Sequence, residues 1–352
     1  MRFLISWILA FALIDVGHAQ TSAPVAIKAA RLLDVKTGQM VASPVVVVEG
    51  ERIIRLERSV PAGMTVIDLG DATLLPGFID LHTHITYPDI APGFDVQTVK
   101  ETEVDDVLYG VSNARKTLLA GFTTIRNLGS RGFTDIKLGH AIQRGDVIGP
   151  RIIGAGHAIS ITGGHCDTTG FAPGIDERDY RSGIADGVDG VLQAVRYQIK
   201  HGAGVIKICA TAGVLSFEGP VGAQQMTEDE MRVAVQEAAR HGLRVAAHAH
   251  GSEGLIAAAK AGVASIEHGT SLTDEAIRVL KERGTWLVPQ AFIGDSIKME
   301  SLPPPIAAKA QQTVAVNGES MRKARLAGVK IAFGTDSGVI PTDVTRANSY
   351  RA

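Results

Sequence analysis

The sequence predicts an α/β protein: a (β/α)8 barrel of the TIM type preceded by a small β domain. Two observations carry this. From residue 74 onward, short apolar runs of strand length alternate with helical stretches, eight times in all. That alternation marks a parallel sheet covered by helices, and eight is the count that closes such a sheet into a barrel. Before residue 74 there are only short strands and turns. An open doubly wound sheet is the alternative, but no phosphate-type Gly-rich turn follows the first strand.

The chain has 352 residues, 45% of them hydrophobic, and a formal net charge of −2. That size allows one large domain or two smaller ones, and the charge argues against a nucleic-acid partner. Met1-Arg2 precedes an apolar run from Phe3 to Ile14, and Gly17-His18-Ala19 places small residues before Gln20. This is a signal-peptide pattern over residues 1–19, cleaved after Ala19. The run is short for a membrane span and Asp15 interrupts it. The expectation is an exported protein, periplasmic or secreted, off the membrane after cleavage. Cys166 and Cys209 could pair in such a compartment. Two cysteines make no framework, however, and Cys209 reads as a small buried apolar residue.

Residues 20–73 read as a small antiparallel sheet, with runs at Ala26–Leu33, Pro44–Val48 and Arg52–Leu56 and turns at Thr37-Gly38 and Glu49-Gly50. It is too short to bury a good core alone. In the barrel, strand one is Leu74–His84, and a helix over about Val104–Ala120 ends at Gly121. Strand two, Thr123–Asn127, leads to a helix near Asp135–Arg144. Strand three is Arg151–Gly154, followed by a long loop from His157 and a helix from about Gly190 to His201. Strand four is Val205–Ala210. After a second long loop, Thr227 caps a helix over Glu228–His241, and Glu230 completes a capping box. Strand five, Arg244–His248, precedes a helix near Glu253–Ala261. Strand six, Ser265–His268, precedes a helix near Thr273–Arg283. Strand seven is Trp286–Pro289, a helix covers about Ile306–Ala327, and strand eight is Lys330–Gly334.

Active sites of such barrels lie at the C-terminal ends of the strands. His82 and His84 end strand one, two residues apart, so both imidazoles leave the same face. Strand four carries Lys207 among apolar neighbours. Strand five ends in His248 with His250 beyond it, strand six in Glu267-His268, and strand eight in Thr335-Asp336. Histidine nitrogens and carboxylate oxygens suit zinc and similar divalent ions. A lysine on an apolar strand loses basicity by desolvation, which favours its carboxylation by carbon dioxide.

Pro76-Gly-Phe-Ile-Asp-Leu-His-Thr-His84, the strand-four lysine, the strand-five and strand-six histidines and Phe333-Gly-Thr-Asp336 together resemble the amidohydrolase superfamily. Ile206-Lys-Ile-Cys-Ala-Thr-Ala-Gly-Val-Leu-Ser216, Thr162-Gly-Gly-His165 and Ala247-His-Ala-His-Gly251 resemble its imidazolonepropionase-like group, which includes metal-dependent Xaa-Pro dipeptidases. The resemblance implies two divalent cations, with zinc expected. His82, His84 and Asp336 would hold one and His248 and His268 the other, with carboxylated Lys207 and a hydroxide between them. Asp336 would be the catalytic proton carrier, and His165 would bind substrate. The expected reaction is hydrolysis of an amide bond in a dipeptide or similar small molecule. A one-metal deaminase is the alternative, with His250 as ligand and Glu253 as base, or a cyclic amidase of the imidazolonepropionase kind. The oligomeric state is open, with a homo-oligomer one option.

The resemblance ends near Pro341. A His-Gly pair, a long helix and further strands are expected there, and Thr342–Ala352 supplies none. The expectation is therefore a barrel over 74–341 lacking its last helix, an incomplete β-sandwich-type domain over 20–73, and an atypical tail over 342–352. A frameshift near codon 341 would account for the tail. The opposing reading is a truncated, inactive product.

Overall fold

A computed structural model of the chain describes residues 23–88, 98–291, 293–296 and 299–338. The expected signal peptide and the tail over 342–352 lie outside these residues, as does the place of a last barrel helix. The chain divides into two compact units between Pro76 and Gly77.

The first unit holds two small sheets. One has the order β5-β4-β1-β6, from Arg52–Glu57, Val45–Glu49, Val25–Lys28 and Thr65–Asp68. The other has the order β3-β2-β7, from Gln39–Ala42, Arg31–Asp34 and Thr73–Leu74. The expected antiparallel sheet is corrected to two mixed ones, because β6 runs parallel to β1 and β7 parallel to β2. Alternation along a strand reports which face is buried; it carries nothing about the direction of the partner. The run Val45–Val47 is buried on both faces, which suits its place between two neighbours.

The expected first barrel strand is also divided. Thr73–Leu74 pairs with Arg31–Leu32 in the small unit, and the barrel strand β8 is Phe78–Thr83. Pro76, which lacks an N–H, and Gly77 separate the two. Gly77 is required as well as permitted, since a Cβ there would collide with the Thr123 side chain.

In the second unit β8 pairs in parallel with β9 (Phe122–Asn127), which pairs with β10 (Arg151–Gly154). A second parallel group runs β11 (Ile206–Cys209), β12 (Val245–Ala249), β13 (Ser265–His268) and β14 (Trp286–Val288). Single bridges join the groups into a ring. Ile159 bridges Ile208, Ile331 bridges Leu287, and Ser337 bridges Thr83. The expected eighth strand, Lys330–Gly334, is corrected: its place in the ring is held by a segment over 331–337 that forms only single bridges and backbone bonds to both neighbours. The result is a TIM-barrel-like domain.

Helices follow the strands: α1 (Glu103–Leu119), α2 (Thr134–Arg144), α3 (Gly187–Lys200), α4 (Glu228–Arg240), α5 (Ser252–Ala261), α6 (Asp274–Arg283), a short α7 (Ile293–Ser296) and α8 (Pro304–Leu326). The Thr227 cap and its Glu230 partner form the expected capping box at α4. Strand alternation sets the layers. Ile206, Ile208, Val245, Ala247 and Ile266 point outward into a core with Met231, Ala234, Leu255 and Leu280 from the helices. Val205 and Ala246 point inward and pack with Leu128 and Ala155. Lys207, between Ile206 and Ile208, therefore faces the barrel interior.

Candidate metal centre

All seven residues singled out in the sequence line one cavity of about 550 Å³: His82, His84, His165, Lys207, His248, His268 and Asp336. His250 joins them. The strands deliver them as alternation requires, with one exception. Glu267 and His268 are sequence neighbours, yet both serve the interior: Glu267 meets His82, and His268 lines the cavity. His268 achieves this with φ 72°, and Gln290 (φ 35°) and Asp336 (φ 62°) are left-handed too. Such backbone costs about 1–3 kcal/mol per residue, and here all three fall at strand ends beside the site.

Two clusters emerge. In one, Asp336 Oδ1 lies 3.4 Å from His82 Nε2 and 3.5 Å from His84 Nε2. In the other, His268 lies 4.6 Å, ring to ring, from both His248 and His250. Within each set of three, the nearest ligand atoms all fall within 4.8 Å of one another. His82 Nε2, His248 Nε2 and Asp336 Oδ1 are buried and have no hydrogen-bond partner. Buried polar atoms are nearly always satisfied, so lone pairs left bare and convergent suit a cation.

The electrostatics agree. Burial holds His82, His248 and His268 well below the usual histidine value and His84 and His250 at about 3, so all five are neutral. Burial lifts Asp336 to about 7, with Lys207 opposing and Asp80 and Glu267 adding to the rise. Burial also lowers Lys207 to about 8 against the pull of Glu267 and Asp336.

Several residues around these clusters have partners that the sequence does not signal. Glu267 Oε2 accepts from His82 Nδ1 at 2.9 Å, while its Oε1 takes Arg126 Nη2 at 2.7 Å and Ser265 Oγ at 2.6 Å. The carboxylate fixes the His82 tautomer and leaves Nε2 free for the cavity. Gln290 Nε2 lies 2.9 Å from His82 Nδ1 and 3.4 Å from the same Glu267 oxygen, and Gln290 Oε1 accepts the His268 amide at 2.8 Å. Asp80 accepts from Thr335 Oγ1 at 2.6 Å and from the His82 amide at 3.0 Å, tying strand one to the segment that carries Asp336. Only Asp80, two residues before His82 on one strand face, was within reach of a spacing argument.

His165 lies in the loop after β10. Its ring stacks on His248 at 4.1 Å, and its Nδ1 meets Ser216 Oγ at 2.8 Å and Glu218 Oε1 at 2.9 Å. Burial pulls Glu218 upward, but bonds from His165 and Ser216 outweigh it and hold the carboxyl at about 2. Cys209 is corrected: it is joined to Cys166 by a disulfide, with Cα atoms 6.2 Å apart. The two cysteines are 43 residues apart in sequence, and nothing local signals their pairing.

This barrel, with two histidine clusters at its strand ends, belongs to the amidohydrolase family, whose profile the chain matches over residues 73–350. That family is metal-dependent, in keeping with the bare ligand atoms. A solved Xaa-Pro dipeptidase with methionine bound in its active site is 37% identical, with a TM-score of 0.85 over 91% of this chain and 81% of that one. A prolidase complexed with N-methylphosphonate-L-proline is 31% identical, with a TM-score of 0.81 over 91% and 80%. Ochratoxinase of Aspergillus niger is 33% identical over 293 residues, which is 75% of this chain and 58% of that protein. The chain therefore spans less than two thirds of the length of that relative.

Proposed function

We propose that the chain hydrolyses an amide bond of a dipeptide or related N-acyl amino acid, as an Xaa-Pro dipeptidase or carboxypeptidase-type amidohydrolase. The observation that carries this reading is the bare, buried trio of His82 Nε2, His248 Nε2 and Asp336 Oδ1 in one cavity with Lys207. The similarity to a dipeptidase and a prolidase supports the substrate class. His82, His84 and Asp336 would hold one divalent cation and His248 and His268 the other, zinc being the expected ion. Carboxylated Lys207 would lie between them. When bound, the cations lower the pKa of water and polarise the scissile carbonyl.

The chain's own residues do the rest. Asp336 takes the proton of the attacking water and returns it to the leaving amine. Glu267, backed by Arg126, keeps His82 in the tautomer that presents Nε2. His165, held by Glu218 and Ser216, presents its other nitrogen to substrate. The one-metal deaminase reading loses support, because Glu253, its base, is exposed at the start of α5. Export to the periplasm or beyond remains part of the proposal, as does the option of a homo-oligomer.

A screen of dipeptides and N-acyl amino acids with zinc tests the reading, paired with Lys207→Ala. Turnover with two metals per chain is expected, falling roughly a thousandfold in Lys207→Ala. Activity that survives that substitution sinks the carbamate. A chain that binds no metal and turns over none of these substrates would overturn the metal-dependent reading.

A further inference from the structure

Cys166 follows His165 directly, and Cys209 lies two residues beyond Lys207 on β11. We propose that the Cys166–Cys209 disulfide is the positioning device for His165, strapping its loop to the strand that carries Lys207; this rests on the substrate-binding role proposed above for His165.

The loop is long and held otherwise by hydrogen bonds, among them Thr162 to Asp186 and Cys166 to Ser160. Between Gly154 and Gly187 the chain forms no strand or α-helix, only the 3-10 turn Tyr180–Ser182. Its start is tied to β11 by the backbone, where Ile159 donates to Lys207 and accepts from Cys209. Past Ile159 the chain turns away and must come back to put His165 over His248. Its noncovalent partners there sit on a second loop: Gln225 Oε1 accepts the His165 amide at 2.9 Å, and Ser216 and Glu218 hold the ring. That second loop is itself tied to the barrel, Gln225 and Met226 donating to Ala210 at the end of β11 and Lys309 of α8 donating to Ser216 O, so these bonds set the approximate place of His165. The disulfide ties the His165 loop to a strand, at the residue adjoining the functional side chain. Both cysteines line the cavity, so the strap is part of its wall.

The slot leaves the ring little slack. His248 covers one face at 4.1 Å. A Cβ added at Gly213 would overlap the His165 ring. A loop free to shift by an ångström would lose the stack or meet the Gly213 backbone. A covalent tie at the next residue removes that freedom, as cross-links do by restricting the chain's alternatives. Closing the bond also keeps two sulfurs from becoming thiolates, which are strong metal ligands.

The experiment uses the metal-loaded chain and a water-soluble phosphine. The phosphine reduces the S–S bond to two thiols and becomes its oxide, with water supplying the oxygen and both hydrogens. Thiols titrated in denaturant should be absent before this treatment and number two after it, since the chain has two cysteines and neither is free. Hydrogen exchange at the amides of Gly164, His165 and Asp167 should quicken about tenfold on reduction, with Val245–Ala249 unchanged. For a dipeptide that is turned over, KM should rise about threefold to tenfold with kcat within about twofold. The doubly substituted Cys166→Ser, Cys209→Ser chain should show the reduced behaviour from the outset and no further response to phosphine.

Two thiols before reduction would overturn the proposal. So would unchanged exchange around His165, or an equal KM response in the doubly substituted chain. If no dipeptide is hydrolysed, the peptidase reading fails, while the thiol count and exchange still decide the strap.

Discussion

The barrel holds two His-x-His pairs at strand ends, and the structure treats them differently. His82 and His84 share a carboxylate, Asp336, and His82 is backed by a second, Glu267. His248 and His250 have a third imidazole, His268, for company, and His250 Nδ1 rests on a hydroxyl, Thr270 Oγ1, at 3.0 Å. The spacing is the same, so what separates the pairs is what neighbouring strands deliver. One side offers negative charge to a dication. The other offers neutral nitrogens, and a cation there would draw on an anion from elsewhere, the part proposed for carboxylated Lys207. Charge balance in a low-dielectric cavity thus favours an acidic group at the bridging place.

The largest effect should come from removing the charge on the first side. Asp336→Asn keeps the shape but would take away both a ligand and the proton carrier of the proposed mechanism. Turnover of a competent dipeptide should fall by at least ~10³-fold, and metal analysis should show the loss of one cation. Near-normal kcat would place the proton transfer on another residue.

The second pair is split next. His248→Asn should lower the metal content by one, whereas His250→Asn should keep both cations and lower kcat/KM about tenfold. His250 belongs to the same compact cluster, so the outcome is a direct contest between two neighbouring imidazoles. Loss of a cation in His250→Asn, with retention in His248→Asn, would reverse the assignment.

Glu267→Gln tests whether the pairs differ in their support. The amide can still meet His82 Nδ1, but Arg126 loses its ion partner inside the barrel. Affinity for the first cation should drop about 10–100-fold, read by competition with a chelating dye, and the second should be untouched. An equal loss of both would mean that the carboxylate acts on the whole barrel interior.

Here the limits of the sequence are plain. Strand-end position brought His82, His84, Lys207, His248, His250, Glu267, His268 and Asp336 together before any geometry, and the family resemblance chose the ligand set among them. Arg126 and Glu267 are 141 residues apart, and Gln290 and His82 are 208 apart, with nothing in either stretch to pair them. The left-handed turns at His268 and Asp336 were hidden for another reason. Glycine advertises positive φ, whereas a histidine or aspartate held there by its surroundings does not. The parallel partners of β1 and β2 escaped notice because burial patterns carry no strand direction.

The pH dependence of metal uptake follows from the same asymmetry. Asp336 is raised to about 7 in the metal-free chain, so below that pH a cation at the first site must displace a proton. Its affinity should rise about tenfold per unit from pH 5 to 7 and flatten above. His250, held at about 3, and His248 and His268, held well below the usual value, stay neutral throughout this range. Affinity at the second site should be flat from pH 5 to 7, with a bicarbonate-dependent rise toward 8 as neutral Lys207 becomes available. Identical profiles for both cations would remove the carboxylate as the distinguishing feature.

The smallest effect separates a hydroxyl support from a carboxylate one. Thr270→Val preserves volume and removes the bond to His250 Nδ1. A neutral hydrogen bond contributes about 0.5–1.5 kcal/mol, which corresponds to roughly threefold to tenfold in any equilibrium it governs. If His250 contacts substrate, that loss should appear in KM, with metal content and kcat held. If His250 is instead the ligand, the same loss should appear in affinity for the second cation, with KM unmoved. A defect of a few-fold in one column and none in the other is enough to say which of the two strand-five histidines faces the metal.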